Sequence, residues 1–97
     1  MSVKIIVEIQ VKEKKMELVN SLFSDLLKET RSRNGNEGVS VYSNQGTPTN
    51  IILIEQWKSR NHYEQYNKWR TERGDFIKLA EFLIQPPHRR YFDYIDV

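Results

Sequence analysis

Apolar and polar positions alternate along the first segment of the chain. Every odd position from Val3 to Val11 is Val or Ile, whereas Lys4, Glu8 and Gln10 occupy even positions. Successive side chains of a β-strand point to opposite faces of a sheet, so a period of two is typical of a strand that is buried on one face. The pattern predicts an opening β-strand.

The spacing of apolar positions changes to three and four residues between positions 13 and 33. The residues with this spacing are Met16, Val19, Leu22, Phe23, Leu26 and Leu27. Side chains three and four apart share one side of an α-helix, so this segment is predicted to be a helix that covers the sheet. It is expected to end at "NGNEG", positions 34–38, because Gly and Asn tolerate the positive φ of helix ends.

A hairpin of two strands is predicted after this helix. "GVSVYS" is a short strand, and the Gly- and Pro-containing turn "NQGTPTN" at 44–50 joins it to "NIILIEQW". In the second strand Ile51 and Leu53 alternate with Ile52 and Ile54, so both faces are expected to be buried. One helix covers only one face, and a second subunit is therefore predicted to cover the other.

The rest of the chain predicts a broken helix and a last strand. Ser59 or Asn61 can cap a helix that begins near position 60, and Gly74 separates it from a second helical segment, "DFIKLAEFLI" at 75–84. The Pro pair at 86 and 87 ends that segment, and "HRRYFDYIDV" forms the final strand. The order β-α-β-β-α-β predicts one α+β, ferredoxin-like domain over residues 1–97, with an antiparallel sheet and helices on one face.

Composition excludes several classes of function. The chain is 38% apolar and 29% charged, which is typical of a folded globular domain. Its 15 basic and 13 acidic residues are spread out, so no basic block indicates nucleic-acid binding. The absence of cysteine excludes disulfides and thiolate catalysis, and the spacing of His62 and His88 does not indicate a metal site. Charged residues follow the first strand too soon for a signal or membrane segment, so a cytoplasmic protein is expected.

Three segments resemble the antibiotic biosynthesis monooxygenase (ABM) family. They are "VKIIVEIQVKEKKMELVNSLFSDLL", "NGNEGVSVY" and, above all, "IILIEQWKSRNHYEQY". The resemblance implies a homodimer that forms through the open face of the sheet, giving a dimeric α+β barrel. It also implies a cofactor-independent monooxygenase that acts on a small aromatic or quinol-like substrate.

Individual positions distinguish between the branches of this family. The haem-degrading branch has an Asn on the first strand, which is absent here, and Tyr66 and Phe76 stand where its Trp and His are expected. These departures argue against haem degradation. The polyketide-oxidising branch resembles the chain more closely, because its strand-end Trp and the Tyr that follows match Trp57 and Tyr63. Leu53 replaces the active-site Asn of that branch.

A helix that begins near position 60 brings aromatic and basic side chains to one side. The candidate site residues are His62, Tyr63, Tyr66, Trp69 and Arg73, together with Trp57 at the end of the preceding strand. His62, Tyr63 and Trp57 are the predicted catalytic residues, with His62 as the base that removes a phenolic proton. The other three are predicted to bind the substrate, and Arg73 to stabilise its phenolate. No cofactor or metal is expected.

Two alternatives from other classes stay open. Large aromatic side chains at helical spacing are more often core than pocket, so the chain also fits a non-catalytic dimeric ferredoxin-like binding or structural protein, which Leu53 favours. An RNA-binding protein of the same topology would carry exposed aromatic residues on the central strands. "NIILIEQW" offers aliphatic residues there, so this alternative ranks last.

Overall fold

Each predicted strand and helix has a counterpart in the structure, a computed structural model that describes residues 2–97. The strands are β1 (Val3–Gln10), β2 (Asn36–Ser43), β3 (Asn50–Trp57) and β4 (His88–Asp93). The helices are α1 (Met16–Ser32), which follows a 3₁₀ turn at Glu13–Lys15, α2 (Arg60–Arg73) and α3 (Asp75–Ala80). The predicted β-α-β-β-α-β order with a divided second helix is confirmed.

The strands form one antiparallel sheet in the order β2-β3-β1-β4. Ile5 of β1 pairs with Glu55 of β3 on one side and with Tyr91 of β4 on the other. The two most apolar strands, β1 and β3, therefore each have a neighbour on both sides. This arrangement is that of the ferredoxin-like fold.

The helices cover one face of the sheet, here called the inner face. Its buried side chains on β1 and β3 are Val3, Ile5, Val7, Ile9, Ile51, Leu53, Glu55 and Trp57. The opposite or outer face carries the even positions, where Ile6, Ile52 and Ile54 are half-buried. The alternation in the sequence allowed either face to be internal, and the structure assigns the odd positions of both central strands to the core.

The helices pack on the inner face through the apolar stripe of α1 and the tyrosines of α2. Val19, Phe23 and Leu27 of α1 are buried, as are Tyr63 and Tyr66 of α2.

Ser59 caps the first turn of α2, because its Oγ accepts a hydrogen bond from the backbone N–H of His62 at 3.2 Å. Of the two predicted capping residues, the structure uses the first.

The second part of the divided helix is shorter than predicted. The sequence pattern extends it to position 84, whereas α3 ends at Ala80. Beyond it the backbone bonds to the end of β1: the Lys12 N–H donates to the Phe82 carbonyl, and the Ile84 N–H donates to the Gln10 carbonyl, both at 2.8 Å. A helix that reached position 84 would pair the Ile84 N–H internally, so its bond to Gln10 replaces a helical bond and the chain turns towards β4.

A buried guanidinium on α2 links the three helices. Arg70 is 1% exposed, although it is charged. Its five N–H groups donate to the Tyr66 hydroxyl (3.0 Å), the carboxylates of Glu29 (2.9 Å) and Asp75 (2.8 Å), the Leu26 carbonyl (2.7 Å) and the Thr30 hydroxyl (3.0 Å). Three of these acceptors lie on α1 and one is the first residue of α3, so one side chain holds both helices to α2.

Replacing Arg70 by Lys is expected to lower the free energy of unfolding by about 3 kcal/mol, because Lys cannot donate to all five acceptors. Denaturation by urea measures the change. Arg73→Lys is the matched control, since Arg73 contacts the same two carboxylates while 41% exposed and should cost less than about 1 kcal/mol. Equal losses in the two variants would contradict the structural role of Arg70.

Candidate functional site

A cavity of about 50 Å³ lies between the inner face of the sheet and the helices. Its walls are mostly aliphatic and aromatic, and Tyr63 and Tyr66 line it from α2. The charged residues that line it are Glu55, Arg70, Asp75 and Arg89. An apolar pocket with a few converging charged groups is the usual form of a small-molecule site, so this cavity is the candidate functional site.

The carboxyl group of Glu55 lies on the inner face in the middle of the sheet. Its neighbours across the strands are Ile5 and Val39, and the residue is 5% exposed. Burial raises the pKa of Glu55, while the hydrogen bond from Trp57 and the positive charge of Arg89 lower it by less. A carboxylate in such surroundings accepts a proton more readily than an exposed one.

Trp57 holds one oxygen of this carboxyl group. The indole Nε1–H donates to Oε1 of Glu55 at 3.0 Å, and the indole is completely buried. Trp57 does not itself line the cavity. It contacts the site through the carboxyl group of Glu55 and through the rings of Tyr63 and Tyr66, whose centroids lie 5.9 and 4.9 Å from that of its own ring.

The hydroxyl of Tyr66 has no proton available for a ligand. It accepts an N–H of Arg70 at 3.0 Å and lies 2.9 Å from the Thr30 hydroxyl. Thr30 donates its own proton to the Leu26 carbonyl at 3.1 Å, so Tyr66 is the donor in its contact with Thr30. Tyr66 therefore presents its ring to the cavity and keeps its hydroxyl in the network of Arg70.

Tyr63 is a second aromatic wall of the cavity and is 2% exposed. Its ring meets those of Trp57 and Tyr91 edge to face, with centroids 5.9 and 5.8 Å away. Burial raises the pKa of Tyr63, an effect that the charge of Arg89 opposes. The phenol stays protonated near neutral pH, so it can donate a hydrogen bond to a ligand but cannot act as a base.

The structure places the other three predicted site residues outside the cavity lining. The Nδ1 atom of His62 lies 2.6 Å from the Ser59 Oγ. Trp69 is half-buried under guanidinium groups, of which that of Arg33 is 4.0 Å from the ring centroid. Arg73 pairs with Glu29 on α1 at 3.0 Å. Of the predicted set, the structure brings Tyr63 and Tyr66 together at the cavity and connects Trp57 to it, and the catalytic and binding roles themselves stay predictions.

The four charged residues that line the cavity, Glu55, Arg70, Asp75 and Arg89, were not predicted as site residues from the sequence. Glu55 could have been found by continuing the alternation of β3, which puts an acidic residue between Leu53 and Trp57 on one face. Arg70 lies on the same side of α2 as the two buried tyrosines, at three- and four-residue spacing. Arg89 carried no clear signal, because in the sequence it is one of two adjacent arginines.

Metal and membrane features can be judged for residues 2–97. No group of three or more His, Cys, Asp or Glu side chains gathers there in a way that could hold a metal ion. No helix in this range has both the length and the apolar composition needed to cross a bilayer. The carboxylates that line the cavity, Glu55 and Asp75, have arginines as their charged neighbours.

Comparison with known proteins identifies relatives of the sequence and of the fold. A family model described as antibiotic biosynthesis monooxygenase matches residues 2–71. No curated protein matches the sequence. The family match spans β1 to most of α2, and so includes Glu55 and Trp57 of the candidate site.

Three solved structures illustrate the shared fold. A conserved protein from Methanosarcina mazei Go1 is 22% identical, with 95% of this chain and 91% of that chain covered and a TM-score of 0.87. An antibiotic biosynthesis monooxygenase is 17% identical, with 97% and 99% covered and a TM-score of 0.87. A mutant of SnoaB, a cofactor-independent oxygenase from Streptomyces nogalater, is 10% identical, with 99% and 95% covered and a TM-score of 0.83.

Replacing Glu55 by Gln is expected to stabilise the protein near neutral pH. Because the pKa of Glu55 is raised in the folded state, its contribution to stability is fully present below the unfolded pKa and is lost as the pH rises through the folded pKa. Gln stays neutral and keeps an oxygen for the Trp57 N–H. Between about pH 4 and about pH 8, the melting temperature of the variant should therefore increase relative to that of the original protein as the pH rises. A constant difference over this range would contradict the assignment.

Proposed function

The chain belongs to the antibiotic biosynthesis monooxygenase family, and on that basis we propose that it is a cofactor-independent monooxygenase acting on a small aromatic or quinol-like substrate. The observation that carries the proposal is the buried carboxyl group of Glu55 in an otherwise largely apolar cavity with aromatic walls. The fold shared with SnoaB, a cofactor-independent oxygenase, also supports it.

The proposed reaction balances without an added cofactor. A hydroquinone and O₂ give a hydroxyquinone and water: one oxygen atom enters a ring C–H position, and the other leaves as water. All the electrons come from the substrate. The protein has to assist the ionisation of the quinol, because an anion gives an electron to O₂ more readily than a neutral phenol does.

Glu55 is the base of this proposal. The O–H bond of the quinol breaks, its proton moves to the carboxylate of Glu55, and the electron pair stays on the quinol oxygen. The raised pKa of Glu55 suits the task, since it makes the carboxylate a better proton acceptor. His62, predicted as the base from the sequence, is less favoured, because its Nδ1 is engaged with Ser59 outside the cavity lining.

The aromatic residues supply surfaces and orientation in the same proposal. Tyr63 and Tyr66 flank the substrate ring, and Trp57 orients the carboxyl group of Glu55. Trp69 and Arg73, predicted to bind substrate, have an indirect role in this proposal. The guanidinium groups of Arg70 and Arg73 lie over the Trp69 ring and form a cluster with it. That cluster supports the helix on which Tyr63 and Tyr66 are placed.

A non-catalytic binding or structural protein is the second candidate. The small size of the cavity favours it: about 50 Å³ is well below the roughly 300 to 1,000 Å³ of typical ligand pockets. In this alternative the side chains of the inner face serve only as core. The two candidates differ in whether a quinol enters the cavity and loses its proton there.

We also propose that the protein is a homodimer formed through the outer face of the sheet. Ile52 and Ile54 of β3 and Ile6 of β1 form an apolar strip there, with Tyr42 57% exposed and Phe92 41% exposed beside it. Soluble proteins rarely leave a continuous apolar patch open to water. A second copy of the chain offers the same patch across a two-fold axis, as in most homodimers.

Oxygen uptake with a panel of hydroquinones tests the enzymatic proposal. Uptake should be saturable in the quinol and faster than autoxidation in buffer, and Glu55→Gln should lower kcat by about a hundredfold or more, because the base is lost. Glu17→Gln, an exposed change on α1, is the matched control and should leave the rate unchanged. Rates that match buffer would favour the non-catalytic alternative, whereas saturable uptake that survives in Glu55→Gln would contradict the role of Glu55 as the base.

Replacing Ile54 by Lys should shift the dimer to monomers in sedimentation velocity, because it places a charge in the apolar strip of the outer face. Ile77→Lys makes the same chemical change on α3, at a side chain that is 74% exposed on the helical layer, and should leave the dimer intact. A folded Ile54→Lys variant that sediments like the original protein would argue against this interface.

A further inference from the structure

Arg89 is a charged residue of the cavity that has no role in the proposed reaction. It lies on β4, paired in register with Val7 of β1. Val7 faces the helices, so Arg89 is also on the inner face, and it lines the cavity. The next residue, Arg90, pairs with Ile6 and lies on the outer face.

The guanidinium of Arg89 is incompletely bonded. Its Nε atom is buried and has no hydrogen-bond partner among residues 2–97. No carboxylate in that part of the chain lies within 4.0 Å of it, and its guanidinium lies over the ring of Phe76, 5.1 Å from the ring centroid. Arg70, which lines the same cavity, has every N–H paired. A buried donor without a partner is costly, and a ligand oxygen could satisfy it.

The charges around Arg89 favour an anion in the cavity. Glu55, Tyr63 and Arg89 all line the cavity, and the positive charge of Arg89 lowers the pKa of the other two groups. When Glu55 is protonated, Arg89 carries the one uncompensated charge in the group formed by Glu55, Tyr63 and Arg89. A bound anion then makes the group neutral, and the anion can accept hydrogen bonds from the guanidinium and from protonated Glu55.

We propose that Arg89 is the anion anchor of the cavity and binds the ionised oxygen of a single-ring phenolate. The inference rests on the proposed function in taking the cavity as the ligand site, and it adds a residue and a charge state for the ligand. Arg89 holds the oxygen after its proton has moved to Glu55. The phenolate is thereby stabilised where an isolated anion in an apolar cavity would be strongly disfavoured.

The size of the cavity limits the ligand to one ring. A dry cavity of about 150 Å³ binds benzene in a well-studied protein, and the cavity here is about 50 Å³. One aromatic ring therefore already requires the side chains around the cavity to shift. A ligand of several fused rings would require separation of the helices, which the hydrogen bonds of Arg70 oppose.

Binding of para-nitrophenol, at a pH where this phenol is ionised, tests the proposal by calorimetry. The matched neutral probe is para-nitroanisole, which has nearly the same shape and no acidic hydroxyl. The original protein should bind the phenolate more tightly than the anisole. Arg89→Met should weaken phenolate binding by about tenfold or more and leave anisole binding unchanged, because a charge-assisted hydrogen bond is lost.

Two further variants separate a local role of Arg89 from general effects. Arg90→Met removes the same charge one residue away on the opposite face and should leave phenolate binding unchanged. Arg89→Lys keeps the charge and should retain part of the affinity. Melting temperatures establish that each variant is folded. Equal binding of the two probes, binding of neither, or equal losses in Arg89→Met and Arg90→Met would overturn the proposal.

The outcome for Arg89 is distinguishable from the outcome for the oxygenase. The nitrophenolate probe reports on binding and requires no reaction with O₂. If nitrophenolate binding depends on Arg89 but the protein shows no quinol-dependent oxygen uptake, the monooxygenase proposal is refuted and the proposal of phenolate binding by Arg89 stands. Oxygen uptake that is unchanged in Arg89→Met would refute the anchor and leave the oxygenase.

Discussion

The hydrogen bonds of one buried guanidinium position the helices over the sheet. Arg70 occupies a site on α2 that an apolar side chain would normally fill, and it is stable there because all five of its N–H groups meet acceptors on α1, α2 or α3. The space between these helices and the inner face of the sheet is the cavity. Its shape therefore depends on Arg70, and so does the orientation of Tyr66, whose hydroxyl belongs to the same network.

The charged groups of the cavity differ in how far the protein satisfies them. Arg70 is fully bonded and has a structural role, whereas Arg89 has a buried Nε without a partner. Glu55 receives one hydrogen bond, from Trp57, and burial raises its pKa. Groups that the fold leaves partly unsatisfied are the ones available to a ligand. For this reason Glu55 is the proposed base and Arg89 the proposed anion-binding residue, whereas Arg70 has a structural role.

Much of the fold could be predicted from the sequence, because alternation and helical spacing are local signals. The site was harder to predict. Tyr63, Tyr66 and Arg70 form the buried side of α2, whereas His62, Trp69 and Arg73 were predicted to lie beside the two tyrosines. The acceptors that make a buried Arg70 favourable lie about 40 residues away on α1, so no local pattern indicates them. The end of α3 was missed for a related reason, since backbone bonds to β1 stop it at Ala80. Glu55 was accessible from the pattern of β3, but its pKa depends on neighbours from other strands.

The most direct test of the account is to follow the fate of oxygen during turnover. The protein would be given a single-ring hydroquinone under heavy-isotope O₂, and the product would be quenched within the first turnovers and weighed by mass spectrometry. The account predicts a hydroxyquinone that carries one heavy oxygen atom, with the second recovered in water. A quinone without heavy oxygen, formed with hydrogen peroxide or at the rate of buffer alone, would contradict monooxygenation in this cavity.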